Sequence, residues 1–215
     1  KNSEVPQIPF SISDNKLSES DVLVSSYLTL LRLKESPFTA EELLALLDIP
    51  AVRERFAISL ADLPLVREWV ADAGIRFGLQ KHQDGINFNA WQAGLERMML
   101  GYAMREEHGI WQECLGLDSS YGLKGELAGK LSHFFTAVSA LHETLQQAHS
   151  IEKWQGILTA LLADFFVQNN ETADTLIYIQ EKINEITEQL QTLHFADELQ
   201  ADVLADVVTT KLEEA

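Results

Sequence analysis

The distribution of proline is the feature that most constrains this sequence. All five prolines lie in the first third of the 215-residue chain: Pro6, Pro9, Pro37, Pro50 and Pro64. The 151 residues that follow Pro64 contain none. Because proline removes a backbone donor and clashes with the preceding turn, its absence permits long, uninterrupted α-helices. We therefore expect helices to dominate the chain after residue 64.

Apolar residues in the second half recur with helical spacing. One series runs from residue 123 to residue 145, and residues 151–167 form a second apolar segment. A third series comprises Leu176, Ile179, Ile183, Ile186, Leu190 and Leu193. Its spacing is that of a heptad seam, but it is shorter than an extended coiled coil requires. We predict antiparallel pairing of long helices within a bundle.

Local signals also mark where helices begin. Thr39 with Glu42 has the spacing of a capping box, in which each side chain satisfies the other residue's backbone N–H. Pro50 suits the first position of a short helix, since its missing donor costs nothing there. Ser59 and Asp62 are predicted to begin the next helix.

The segment between residues 74 and 104 raises the question of a binding site or a joint between helices. Gly74 follows an amphipathic run, so we predict a left-handed residue that ends the helix, with residues 76–78 as a connection. The residues at helical spacing beyond it are Trp91, Leu95, Met98, Met99 and Tyr102. Such a stripe is more typical of core than of a binding site.

The N-terminal residues differ from the rest. Ile8, Phe10 and Ile12 alternate and predict one short strand, which cannot form a sheet alone. The predicted fold is therefore mainly α, a bundle-like helical domain with one short N-terminal strand. The absence of an initiator methionine and of an apolar leader suggests a chain cut from a longer protein without a signal peptide.

Charge restricts the partners that the chain can bind. The formal net charge is -17, with 46% hydrophobic and 23% charged residues. Residues 106–215 hold 5 basic against 19 acidic residues, so this half should repel phosphate. No apolar run approaches a membrane span, and we expect no membrane partner. The single cysteine, Cys114, excludes an internal disulfide and favours a cytoplasmic location.

The motifs of common enzymes are incomplete here. The stretch GELAGKLS lacks the first glycine of a phosphate loop, where Lys124 stands, and has Leu131 where serine or threonine is needed. His142 and Glu143 lack a second histidine at the zinc-protease spacing. We interpret the histidines as solvated or edge-packed, and we assign no catalytic, cofactor-binding or metal-binding residue.

Five ordered segments carry a resemblance to a known family. They are IPFSISDNKLSESDVLVSSYLTLLRL, FTAEELLALLDIPAVRERFAIS, LVREWVADAGIRFGL, WQAGLERMMLGYAM and WQECLGLDSSYGLKGELAGKL. They cover roughly residues 8–132, and the chain resembles the RecC family, the gamma subunits of exodeoxyribonuclease V. After residue 132 only the helical character and the length continue the resemblance, and the connection KHQDGINFN looks shortened.

The resemblance implies a fold and a function that composition does not give. RecC proteins resemble superfamily 1 helicases whose motor motifs have decayed, and they act with RecB and RecD on double-strand breaks. They help to split the duplex, guide the single strands and recognise the Chi sequence. Residues 1–35 would form the edge of the motor-like domain 2A, and residues 36–215 the helical domain 2B.

Two hypotheses of function follow. The first is a non-catalytic, helicase-like fragment of an enzyme complex, with scaffolding and DNA-channel roles in recombinational repair. DNA-contact candidates then lie in the less acidic first half: Arg53, Arg55, Arg67 and Arg76. We expect the isolated chain to bind DNA weakly or not at all, with any binding lost on Arg53→Glu or Arg55→Glu. The alternative is a stand-alone acidic helical adaptor, which would have no use for a lone strand.

Overall fold

The computed structural model describes residues 19–80, 89–103, 125–192 and 198–213. These residues form nine α-helices: α1 (Glu19–Leu31), α2 (Ala40–Asp48), α3 (Pro50–Arg55), α4 (Leu63–Asp72), α5 (Trp91–Ala103), α6 (Gly125–Leu145), α7 (Ile151–Phe165), α8 (Ala173–Thr192) and α9 (Ala201–Glu213). Short 3-10 turns cover Leu33–Glu35 and Leu60–Asp62. The mainly-α prediction is confirmed. The predicted strand and Cys114 lie outside the described residues.

Helices α7 and α8 form an antiparallel pair. Gln155 on α7 donates to Asn184 on α8 over 3.4 Å, while Gln180 on α8 donates to Thr159 over 3.1 Å. As the α7 number rises the α8 number falls, which is the signature of opposite directions. The seam residues from Leu176 to Ile186 are buried between the helices, as predicted, whereas Leu193 lies outside the described residues.

Helix α1 belongs to the same core as α7, α8 and α9. It packs against α8 and α9, and Tyr27 is fully buried. The Tyr27 hydroxyl donates to the carbonyl oxygen of Leu158 over 3.3 Å, so its polar atom is satisfied inside the core. The first and the last described helices are thereby held in one packed body.

An isolated antiparallel bridge joins the turn before α7 to the start of α9. The His149 and Leu199 backbones exchange hydrogen bonds of 3.0 and 2.9 Å. The Trp154 indole N–H also donates to the Leu199 carbonyl oxygen, over 2.9 Å. This bridge fixes how α9 returns to the bundle.

The predicted helix starts hold, with two differences in detail. The Thr39 hydroxyl accepts from the Glu42 backbone N–H, but the Glu42 carboxylate accepts from Ser36 Oγ over 2.6 Å. Of the expected capping box on α2, the structure therefore shows the bond from the Glu42 N–H to the Thr39 hydroxyl, while the Glu42 carboxylate contacts Ser36. Pro50 stands in the first turn of α3, as predicted. Ser59 and Asp62 begin a 3-10 turn that continues into α4.

The end of α4 confirms the prediction for Gly74. The helix ends at Asp72, and Gly74 has a φ of +67°. Its N–H donates to the Ala71 carbonyl oxygen over 2.9 Å. A left-handed residue after a helix is most easily glycine, because a Cβ is strained there.

The contact between Ser59 and Asp62 leads to a pH prediction. The Ser59 hydroxyl and backbone N–H donate to Asp62 Oδ2 over 2.6 and 2.9 Å, and these two bonds lower the pKa of the carboxyl. Because the pKa is lower in the folded chain, the ionised carboxyl stabilises the fold at pH values above the ordinary aspartate pKa of about 3.9. This stabilisation is lost as the pH falls through the lower pKa of the folded chain. We expect NMR titration to show a low Asp62 pKa. In Ser59→Ala the pKa should rise towards the ordinary value, and an unchanged pKa would contradict this origin.

Candidate nucleic-acid interface

Arg53 is the most buried of the four arginines proposed from the sequence. Its side chain lies on α3, and the residue is 6% exposed. Its Nη1 donates to the carbonyl oxygens of Leu47 and Asp48 over 3.4 and 3.0 Å. These carbonyls belong to the last turn of α2, where the helix presents partial negative charge. Arg53 therefore caps α2 from inside the protein.

Arg55 and Arg67 also contact other parts of the chain. Arg55 Nε donates to the carbonyl oxygen of Ala163 on α7 over 2.8 Å, which ties α3 to α7. Arg67 is exposed on α4 and forms an ion pair with Asp48. Exposed pairs of this kind contribute little to stability, and the guanidinium stays open to water.

The structure brings Arg53 and Arg67 together but separates them from Arg76. The first two meet around Asp48, at the end of α2. The Arg76 carbonyl oxygen instead accepts from the backbone N–H of Ala40, the first residue of α2. Eight residues of helix, roughly 12 Å, separate these two points. The Arg76 backbone therefore lies near the first turn of α2, whereas the Arg53 and Arg67 guanidiniums lie at its last turn.

The connection after α4 presents an exposed aromatic side chain. Phe77 is 52% exposed beside the exposed Arg76. Met99, which the helical stripe placed in the core, is also exposed, so that interpretation is wrong for this residue. Trp91 and Met98 of the same stripe are fully buried, as predicted. The sequence does contain a signal for the exposure of Phe77, because this residue lies outside any helical period, between Gly74 and Gly78.

Arg97 adds a second cation at the end of α4. Its Nη1 donates to the carbonyl oxygen of Ala73, the residue before Gly74, over 3.2 Å. The contact neutralises part of the negative end of α4. Arg97 lies within an amphipathic helix, so its contact with the end of α4 cannot be predicted from the sequence.

Lys130 and the histidines considered in the sequence contact other residues of the chain. Lys130 of the incomplete phosphate loop lies within α6 and pairs with Glu126 over 2.8 Å. His142 Nδ1 lies 3.2 Å from the Leu33 carbonyl oxygen, and His133 packs edge-on against Phe56. Edge-packed histidines were predicted, and these two confirm that interpretation.

Across residues 19–80, 89–103, 125–192 and 198–213, no three His, Cys, Asp or Glu side chains converge in a way that could hold a metal ion. The helices within these ranges also lack the combined length and apolarity that crossing a bilayer demands.

This geometry defines an all-helical domain in which Arg53 and Arg55 bind main-chain carbonyls of the chain itself. Residues 20–215 match the family model described as the RecBCD enzyme subunit RecC fourth domain. The chain therefore belongs to the RecC family. The match continues through the C-terminal third, where the sequence motifs gave only a weak resemblance.

Individual relatives agree with the family assignment. The RecBCD enzyme subunit RecC of Haemophilus influenzae is 80% identical over 215 residues, which are 100% of this chain and 19% of the relative. The protein of the same name from Escherichia coli is 30% identical over 213 residues, 96% of this chain and 19% of the relative. The chain thus spans about a fifth of the length of these curated relatives.

Proposed function

We propose that the chain is a non-catalytic helical domain of a RecC-type subunit in a bacterial helicase–nuclease. In that complex, with RecB and RecD as partners, it serves as a scaffold and contributes to the path of DNA during recombinational repair of double-strand breaks. The observation that carries the proposal is the match of residues 20–215 to the RecC fourth domain.

The packing of the described helices supports a scaffolding role. Large side chains from α1, α5 and α7 are fully buried in one apolar cluster, among them Tyr27, Trp91 and Trp154. Such a core resists deformation, because closely packed side chains transmit strain instead of yielding locally. A rigid body of this kind can hold neighbouring domains at a fixed distance.

The division into an edge of domain 2A, residues 1–35, and a 2B-like domain, residues 36–215, stays a prediction. Helix α1 precedes residue 35 and shares the core of α7, α8 and α9. This packing favours a division on the N-terminal side of α1. The resemblance of the helical part to domain 2B likewise remains part of the proposal.

The DNA-channel role is restricted by charge and by arginine placement. We expect no phosphate contact from Arg53, because the residue is buried, and less from Arg55, because its Nε donates to the Ala163 carbonyl oxygen. Arg67 and Arg76 remain as exposed candidates near opposite ends of α2. Because phosphate contacts supply most non-specific affinity, two separated cations on an acidic chain predict weak binding by the chain alone.

Activity assays on the purified chain test the non-catalytic part of the proposal. We expect neither ATP hydrolysis nor DNA degradation, with or without magnesium, because Lys130 lies within a helix and is paired with Glu126. A heat-unfolded sample gives the background rate. ATP hydrolysis that a point substitution within this chain abolishes would contradict the proposal.

The stand-alone adaptor remains the alternative from another class of function. It would require the chain to bind its partner without other RecC domains. The RecC match favours the complex subunit, since the relatives are about five times longer than this chain. An isolated chain that captures one bacterial protein tightly, and neither RecB nor RecD, would support the adaptor.

A further inference from the structure

Residues 76–78, which follow α4, carry an exposed aromatic and an exposed cation on an anchored backbone. The Arg76 N–H donates to Asn89, and its carbonyl oxygen accepts from Ala40, each over 2.9 Å. The Gly78 N–H donates to the Pro37 carbonyl oxygen, also over 2.9 Å. These bonds flank Phe77 on both sides. The backbone that carries its ring is therefore anchored to two other parts of the fold.

A strained residue reinforces this anchoring. Phe38 has a φ of +50°, a left-handed conformation that is unusual for a bulky side chain. It is buried, and its carbonyl oxygen accepts from the Trp91 indole N–H over 3.1 Å. Strain of this kind persists only where the surroundings fix it. The contacts of Phe38 and Gly78 thus anchor the backbone of residues 76–78.

Residues 73–80 differ in charge from the rest of the chain. Residues 73–80 contain no carboxylate, although the chain carries a net charge of -17. Arg97 adds a positive group at Ala73, at the base of the connection. Phe77 is also the only aromatic among the large apolar side chains that are exposed in the described residues.

From these observations we propose that Phe77 stacks on a base of single-stranded DNA while Arg76 contacts an adjacent phosphate. The inference rests on the proposed function, in which this domain borders the path of DNA, and adds the residues that make contact. Aromatic side chains stack on every base, and arginine beside them supplies the backbone contact.

The isolation of Phe77 favours a nucleotide over a protein partner. A stable protein interface has an apolar core of many residues surrounded by a polar rim. Beside Phe77, the described part of the connection offers the charged Arg76 and the backbone of Gly78. Met99, the other large exposed apolar side chain within the described residues of α4 and α5, lies more than two turns along α5. One exposed ring with a cation suits a single stacked base.

Photocrosslinking in the assembled enzyme tests this inference. The full-length protein containing this chain is combined with its RecB and RecD partners and a partly unwound duplex whose single strands carry 5-iodouracil. We expect a crosslink at Phe77 that Phe77→Trp retains and Phe77→Ala loses, with strand affinity about tenfold weaker in Phe77→Ala. Arg76→Ala should reduce the salt dependence of binding by about one ion. Leu60→Ala, another exposed apolar position, is the control and should change neither result.

The outcomes separate this inference from the function on which it rests. Crosslinks elsewhere in residues 20–215, unchanged in Phe77→Ala, would overturn the stacking contact and keep the DNA-channel role. Crosslinks confined to other domains or subunits would overturn both. If Phe77→Ala instead weakens assembly with RecB or RecD and leaves strand crosslinking unchanged, the connection is a protein contact and the inference is wrong.

Discussion

Arg53→Glu should greatly lower the free energy of unfolding of this chain. The substitution places a carboxylate in a site that is 6% exposed and faces the carbonyl oxygens of Leu47 and Asp48. A buried charge without a partner, next to partial negative charges, costs about 3–5 kcal/mol. Urea denaturation followed by circular dichroism would measure the loss as a lower transition midpoint.

Arg67→Glu is the matched control for Arg53→Glu. It makes the same change of charge, and its guanidinium also contacts Asp48, but on the exposed surface. Loss of an exposed ion pair should cost less than about 1 kcal/mol. Equal destabilisation by the two variants would contradict the capping role of Arg53. If Arg53→Glu alone is strongly destabilised, any loss of DNA binding in this variant reports unfolding and not a missing phosphate contact.

Gly94→Ala should also destabilise the fold, because α5 approaches the end of α4 closely at this position. A Cβ at Gly94 would lie 2.2 Å from Ile75 Cγ1 and 2.4 Å from Ile75 Cδ1, closer than packed carbon atoms can be. Ile75 is buried, so it cannot move away into solvent. Overpacking of this kind costs about 1–3 kcal/mol. Thermal unfolding should show the loss as a lower midpoint.

Two helical glycines provide the opposite control. A Cβ at Gly129 on α6 or at Gly156 on α7 meets no atom within 4 Å. Alanine at either position should therefore stabilise the chain by about 0.5–1 kcal/mol, through its better helix propensity. If Gly94→Ala stabilises the chain as Gly129→Ala does, the inference that α5 packs closely against Ile75 is wrong.

The sequence predicted those features that depend on neighbouring residues. Gly74 could be assigned to a helix end because a glycine after an amphipathic run has few other uses. The seam of α8 was visible because its period repeats over several turns, which suffices to define one buried face. In both cases the signal lies within a single element and does not depend on what packs against it.

The surroundings of Arg53 and Phe77 depend on contacts between elements, which the sequence does not show. Arg53 lies on α3, a helix of six residues that is shorter than two turns, so no period shows which face is buried. Its contact with the end of α2 depends on how the two helices fold back on each other. Phe77 lies outside any helix, so its exposure follows from hydrogen bonds to Pro37 and Asn89, which are distant in sequence.

The central claim, that this chain is a structural domain of a RecC-type subunit, is tested most directly by replacement. The segment of Escherichia coli RecC that aligns with this chain is exchanged for it, and the chimera is co-expressed with RecB and RecD. We predict that both partners co-purify with the chimera and that ATP-dependent exonuclease activity returns, whereas the chimera with Arg53→Glu assembles poorly. A folded chimera that fails to bind either partner, or a RecC lacking the whole segment that retains full assembly and activity, would contradict the claim.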